Sequence, residues 1–268
     1  MMNLHKYGNS PFKIALIHGG PGAPCEMAPV ARELAETRGV LEPIQTALTI
    51  DGEVEELRQA LMENGALPVI LVGYSWGAWL SFMLAERYPS LVSKLILVSS
   101  GPFTQEYAFD TDRTRFERLN SGEREEMQTL KSELDNLAYK GDKDALMARV
   151  GELFGRVDSF DPLPHTSEAE CRWDIFSAVW PQAAALRRSG ALLALGKDIK
   201  CPVVAIHGDY DPHPEGGVRI PLSGVLKDFR FILLEKCGHV PWFERQARDR
   251  FYAILEQELS LMGEPRPG

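Results

Sequence analysis

The stretch Gly73-Tyr74-Ser75-Trp76-Gly77 constrains this chain more than any other. It follows a run of strand-forming residues, Leu67 to Val72, and opens a helix-like stretch that begins at Trp76. G-x-S-x-G in a strand, tight turn, helix context forms a nucleophile elbow. The turn holds its serine in a strained backbone conformation, and strand and helix pass so closely that the residues two before and two after it must lack bulk. Gly73 and Gly77 meet that need. Such a turn lifts the Ser75 hydroxyl clear of the sheet and aims the backbone N–H of Trp76 at any carbonyl oxygen that Ser75 attacks. By itself the pattern is weak, because a glycine-flanked helix start without chemistry has the same spelling. The flanking strand and helix strengthen it.

Upstream, Lys13-Ile14-Ala15-Leu16-Ile17 is an unbroken apolar run of the kind buried on both faces of a parallel sheet. It ends in His18-Gly19-Gly20-Pro21-Gly22, a loop whose backbone can approach a ligand closely. Gly20 would supply a second oxyanion donor beside Trp76. The competing reading, a phosphate loop, is weaker because neither G-x-x-x-x-G-K-[ST] nor G-x-G-x-x-G occurs. His18, at a strand end beside a tight turn, reads as a structural hydrogen-bonding residue. Met27 to Arg38 reads as a helix stopped by Gly39, Leu41 to Ile44 as a short strand, and the stretch after Asp51-Gly52 as a helix closing at Asn64. The elbow helix runs to about Tyr88, where Pro89 stops it, and Lys94 to Val98 is another buried strand. This alternation predicts an α/β fold, a mostly parallel sheet with helices on both faces.

The rhythm breaks after Gly101-Pro102. From about Thr104 to Leu195 helical stripes replace strands. Asn120 with Glu123 offers a capping box ahead of Met127, Leu130, Leu134 and Leu137, and Leu146, Val150, Leu153 and Phe154 mark another helix. The chain therefore divides into a first core part, 1–103, a helical insertion, 104–195, and a second core part, 196–268. Helices inserted at the elbow's end of the sheet would form a lid over the site; a purely structural helical layer is the plainer alternative. Trp173 and Trp180 are candidates to wall a substrate pocket, or else to pack the lid's own core. Glu106, Asp110, Glu168, Glu170 and Asp174 could bind a substrate ammonium, although a solvated acidic face explains them equally.

The sheet resumes at Pro202 to Ile206 and leads into His207-Gly208-Asp209-Tyr210-Asp211-Pro212. A last strand, Arg230 to Leu234, leads into Cys237-Gly238-His239-Val240-Pro241-Trp242, and a helix from there to about Leu261 closes the chain. An acid thus follows one strand end and a histidine the next, in the order Ser75, Asp211, His239.

These residues resemble the α/β-hydrolase family, and within it the proline iminopeptidase-like branch. HGGPG at 18–22 looks like that branch's oxyanion signature, GYSWG at 73–77 is similar to its serine-tryptophan elbow, and His207-Gly208-x-x-Asp211 with Gly238-His239 match the wider family's acid and base positions. The resemblance spans roughly 12–103 and 196–262. It implies Ser75 as nucleophile, His239 as base and Asp211 as acid, with Asp209 left as a turn residue and His207 and His213 as structural neighbours. Three departures accompany it. Only about a dozen residues precede the HGGPG strand, so the usual N-terminal strand pair is expected to be trimmed. Gln45 to Ile50 replaces an aspartate- and glycine-rich turn, and Tyr74 stands where the branch usually has glycine. The implied activity is that of a serine hydrolase acting through an acyl-enzyme on a small amide or ester. The candidates are an aminopeptidase of the proline iminopeptidase type, an esterase with an apolar pocket lined by Tyr74, Trp76 and lid residues, and a ligand-binding receptor that has lost turnover. No metal or cofactor is required.

Composition closes off other classes. At 268 residues, with 44% hydrophobic and 25% charged residues, the chain can bury one large core. A formal net charge of −9 without any lysine/arginine run argues against nucleic acid or an anionic membrane surface and for a small-molecule or short peptide substrate. No apolar stretch approaches the roughly 20 residues of a membrane span, and Met1 to Pro11 lacks a signal-peptide core, so a cytoplasmic location is expected. Cys25, Cys171, Cys201 and Cys237 show no C-x-x-C pair and no metal-ligand spacing, which predicts free thiols; Cys237 reads either as a redox-sensitive thiol close to His239 or as the commoner buried, inert cysteine.

Overall fold

The computed structural model describes residues 3–260. Seven strands form one sheet: β1 (Leu4–Tyr7), β2 (Phe12–Ile17), β3 (Gly39–Pro43), β4 (Val69–Tyr74), β5 (Val92–Val98), β6 (Val203–Gly208) and β7 (Phe229–Leu234). Their spatial order is β1-β3-β2-β4-β5-β6-β7, and every pair except β1 with β3 is parallel. The trimmed edge therefore keeps a single antiparallel strand. Tyr7 pins it by donating to the buried Glu42 of β3 at 2.7 Å.

Because side chains alternate across a strand, each central strand feeds two cores. Leu95 and Leu97 of β5 join Ala15 and Ile17 on one face, where α2 (Ile50–Asn64) and α3 (Trp76–Arg87) contribute Leu57, Leu61, Leu80 and Leu84. Ile96 and Val98 face the other way with Leu16 and Val72, and are covered by α1 (Ala28–Ala35) and α10 (Arg248–Ser260) through Val30, Leu34, Phe251 and Leu255. These bounds agree with the sequence expectations to within a few residues, except that the final helix begins at Arg248 rather than directly after Trp242, the chain between them making a separate 3-10 turn at Pro241–Phe243. The final helix is described to Ser260, and Leu261 lies outside the described residues.

Between β5 and β6 the chain forms α4 (Gln105–Arg118), α5 (Ser121–Asp135), α6 (Lys143–Val157), α7 (Trp173–Ser189) and the short α8 (Ala191–Ala194); α9 (Gly216–Val225) follows β6. The capping box at Asn120 is present, with Asn120 Oδ1 accepting from Glu123 N at 3.0 Å and Glu123 Oε2 accepting from Asn120 N at 2.9 Å. The apolar stripe on α5 stops at Leu134, contrary to expectation. Asn136 Oδ1 accepts from Ala138 N at 2.9 Å, a local turn that competes with helix continuation, and Leu137 is left 97% exposed. Helices α5 and α6 share a core of their own, including Met127, Leu130, Val150 and Leu153, whereas α7 buries Ile175, Val179 and Ala183 in the main core beside α2 and α3. The pattern of α4 is faint because it buries only Thr111, and that of α7 is interrupted by Pro181.

Backbone packing around the elbow is tight. A Cβ on Gly73 would strike the carbonyl of Gly77, and one on Gly77 would strike the carbonyls of Ile17 and His18. Gly77→Ala is therefore expected to destabilise the protein by about 3 kcal/mol or more. Gly151→Ala on α6, where an added Cβ meets nothing within 4 Å, should be neutral or stabilising by up to about 1 kcal/mol. Urea unfolding midpoints of the two variants check both statements, and similar losses at the two sites would contradict the packing argument.

Candidate active site

Three loops at the carboxyl ends of parallel strands converge on one point. Ser75 sits between β4 and α3 at φ 52° and ψ −114°, a left-handed conformation that a serine adopts only under local constraint. Its N–H donates to Val98 O at 3.0 Å, which ties the turn to β5. Asp211 follows β6 and His239 follows β7. His239 Nε2 lies 3.2 Å from Ser75 Oγ, and His239 Nδ1 lies 2.8 Å from Asp211 Oδ2. It is Asp211, not Asp209, that meets the histidine; Asp209 Oδ1 accepts from Cys237 N at 3.1 Å and ties the two loops together.

The Asp211 carboxylate is fully buried and takes further donors on Oδ1, the backbone N–H of His213 at 2.9 Å and His213 Nδ1 at 2.7 Å. Burial by itself would raise its pKa, but the imidazoles of His239, His213 and His207 together hold it well below the usual carboxylate range. For His239 burial works toward a lower pKa, and the Asp211 charge and hydrogen bond outweigh it, leaving the imidazole above its ordinary value. The loop that carries His239 is held by its neighbours. His239 N donates to Asp158 O at 2.9 Å, and the buried carboxylate of Glu244 accepts from Gly238, Phe160 and Asp161 N–H groups, each at 2.8 Å. Nothing in the sequence around Glu244 singles it out, because its partners are all backbone groups brought in from elsewhere.

The HGGPG loop lies beside the elbow. Gly20 and Trp76 line the same cavity as Ser75. Glu26 accepts from Gly19 N at 3.1 Å, and burial pushes its carboxyl up to about 7. His18 is buried with Nδ1 2.8 Å from Gly19 O, and its Nε2 receives Gln45 N at 3.3 Å; burial lowers its pKa to about 4, so it is a neutral structural residue. Gln45, in the stretch that departs from the family pattern, shares the Trp76 indole N–H with Glu53, each at 3.1 Å. The unusual loop thus anchors the side chain whose backbone borders Ser75.

The cavity has a volume of about 460 Å³ and runs from Ser75 into the helical insertion. Trp173, Phe176 and Trp180, on one side of α7, form one wall, stacked 5.8 and 5.9 Å apart, and Trp180 lies parallel to Trp79 at 5.9 Å. Leu134, Met147, Val150 and Phe154 form the other wall. Both expected tryptophans therefore border the cavity. Tyr74 does not. It shares the face of β4 that carries Ile70 and Val72, is 1% exposed, and packs edge-on against Trp242 at 4.7 Å, behind the His239 ring.

None of Glu106, Asp110, Glu168, Glu170 and Asp174 lines the cavity, and Asp110, Glu168 and Asp174 pair with Arg113, Arg32 and Arg172. The carboxylates at the cavity are instead Asp112 and Asp135, alongside Lys131 and Arg115. Arg115 is committed to Asp158 through contacts of 3.0 and 2.6 Å. Asp211, His213 and His239 bring potential metal-ligating atoms within 4.8 Å of one another, and hydrogen bonds through the Nδ1 atoms already join both histidines to the Asp211 carboxylate. Cys237 is buried two residues before His239, and burial pushes its thiol up, away from reactivity; all four cysteines are free thiols. No helix among the described residues is long and apolar enough to cross a membrane.

A proline iminopeptidase of Heyndrickxia coagulans is 25% identical over 265 residues, covering 90% of this chain and 88% of its own. A pimeloyl-[acyl-carrier protein] methyl ester esterase of Nitrosospira multiformis is 25% identical over 217 residues, covering 76% and 73%. Among solved structures, VinJ superposes with a TM-score of 0.67 at 18% identity, covering 97% of this chain and 94% of its own, which speaks to the fold alone. The model of the alpha/beta hydrolase family matches residues 14–254, and the chain belongs to that family.

Proposed function

We propose that the protein is a serine hydrolase that cleaves a small ester with a bulky apolar acyl group. The observation that carries this reading is the unbroken line from Ser75 Oγ through His239 to Asp211 at the foot of an aromatic cavity. A serine hydroxyl is a poor nucleophile at neutral pH, so His239 takes its proton during attack and returns it to the leaving oxygen. Asp211 holds the imidazole tautomer and stabilises the imidazolium. The N–H groups of Gly20 and Trp76 stabilise the tetrahedral oxyanion, each donor being worth about 3 to 4 kcal/mol in a comparable site. The acyl group lies along the Trp173, Phe176 and Trp180 wall while water hydrolyses the acyl-enzyme, and the insertion from α4 to α7 serves as the lid.

An aminopeptidase of the proline iminopeptidase type is the second reading. Two features favour it, the iminopeptidase relative and the presence of Asp112 and Asp135 at the cavity, where a carboxylate could hold a substrate ammonium.

Initial rates on p-nitrophenyl butyrate and L-prolyl p-nitroanilide separate the two. Ester turnover that falls at least about 10³-fold in Ser75→Ala is expected. Anilide turnover lost in the same variant would move the assignment to the peptidase, and rates that survive the substitution would remove Ser75 from the mechanism. If Ser75 also failed to react with a fluorophosphonate while small ligands still bound, a receptor on the hydrolase scaffold would be the better description.

The pH profile offers a second check. His239 works as a base only when unprotonated, and its pKa is raised, so kcat/KM should fall as the pH drops through a value above 6.5. Asp211→Asn removes the charge that outweighs burial. The acidic limb should then move to lower pH, with kcat reduced by about 10⁴-fold. A limb that stays in place would show that another group sets it.

A further inference from the structure

His213 takes no part in the acyl-enzyme cycle, yet it stands against the groups that do. Its backbone N–H and its Nδ1 both meet Asp211 Oδ1, at 2.9 and 2.7 Å. An ionised carboxylate only accepts hydrogen bonds, so the ring proton of a neutral His213 must sit on Nδ1. Burial lowers the pKa of His213 to about 4, which keeps the ring neutral at working pH. Its Nε2 is then a bare lone pair.

The ring that carries it borders the cavity. His213 lines it together with Gly20 and Ser75, and the side chain is 12% exposed. Among the described residues Nε2 meets no protein donor, and unlike His207 Nδ1 it is not one of the polar atoms sealed from solvent without a partner. The ring centroid lies 4.7 Å from that of His239. Since His239 hands its proton to the departing oxygen, the leaving group must stand against the His239 ring, and what it carries a few bonds further on comes within reach of His213. The acyl group runs the other way, along the Trp173, Phe176 and Trp180 wall, whose side chains carry no hydrogen-bond acceptor.

We propose that His213 is a specificity residue whose Nε2 accepts a hydrogen bond from the leaving group, so that the site favours esters of alcohols bearing a hydroxyl or amide N–H near the ester oxygen. The proposal rests on the hydrolase reading. It differs from a purely structural role, in which His213 would only orient Asp211 through Nδ1 and would affect all esters alike.

The test is the ratio of kcat/KM for 2-hydroxyethyl butyrate over 2-methoxyethyl butyrate, a pair that keeps the electron-withdrawing oxygen and differs in the donor. The wild type should prefer the hydroxyethyl ester by about five- to tenfold, the effect of one neutral hydrogen bond. In His213→Phe the ratio should fall to about one, and His213→Gln, which retains an acceptor, should recover part of it. A wild-type ratio near one, or a preference that survives in His213→Phe, overturns the proposal, whatever happens to the absolute rates. The ring itself gives a readout that does not depend on turnover. Two-bond ¹H–¹⁵N spectra at neutral pH should show His213 protonated on Nδ1 alone, and an Nε2-protonated or doubly protonated ring overturns the proposal. Failure of Ser75 to react with a fluorophosphonate, by contrast, would mark the failure of the hydrolase reading.

Discussion

Helix α3 begins within backbone contact of β2, and the geometry of the site follows from that crossing. Cβ atoms at Gly73 or Gly77 would occupy the space of the carbonyls they face, so the turn between them can close only with glycine at both positions. Closing it forces Ser75 to positive φ and points its side chain away from the sheet. The same contact brings the end of β2 beside the start of α3, which places the HGGPG loop and Trp76 along one cavity. A single steric constraint thereby sets the relative positions of the proposed nucleophile and both proposed oxyanion donors.

Electrostatics governs the other half of the site. A buried carboxylate without partners would take up a proton rather than stay charged. Asp211 avoids this through donors from His239 and from both the backbone and the ring of His213, with the His207 imidazole nearby. Its charge in turn keeps the His239 pKa up against the effect of burial. The loops that carry Asp211 and His239 are fixed by carboxylates with no direct contact to Ser75. Asp209 holds the backbone of Cys237, and Glu244 gathers three N–H groups from two separate segments. Because such bonds use main-chain groups, they can be made from many sequence positions and leave no local pattern to read.

The helical insertion combines two kinds of packing. Helices α5 and α6 bury their apolar stripes against each other, while α7 docks on the main core and turns Trp173, Phe176 and Trp180 toward the cavity. The aromatic wall is thus mounted on a helix of the insertion that also buries side chains in the main core. The acids that stand out in the insertion's sequence are occupied elsewhere: Asp110, Glu168 and Asp174 form exposed ion pairs, contacts that contribute little stability individually.

The sheet, the elbow and the order Ser75, Asp211, His239 were legible in the sequence because each depends on short-range regularity. Apolar runs mark strands buried on both faces, glycines mark backbone contacts, and loops at successive strand ends must gather on one edge of a parallel sheet. Pairing at longer range was not legible. Tyr74 adjoins Ser75 in the chain, yet strand alternation turns it into the lower core. His213 looks like a loop neighbour of the acid until the fold shows it sharing the carboxylate and facing the cavity. Asp112, Asp135, Arg115 and Glu244 acquire their surroundings from helices and loops distant in sequence. The sequence by itself determined the fold class, the elbow and the three residues that meet there. Tertiary structure alone decided which side chains wall the cavity and which polar groups hold the His239 loop in place, because exposure and hydrogen-bond partners depend on how separate elements pack rather than on the residues beside them in the chain.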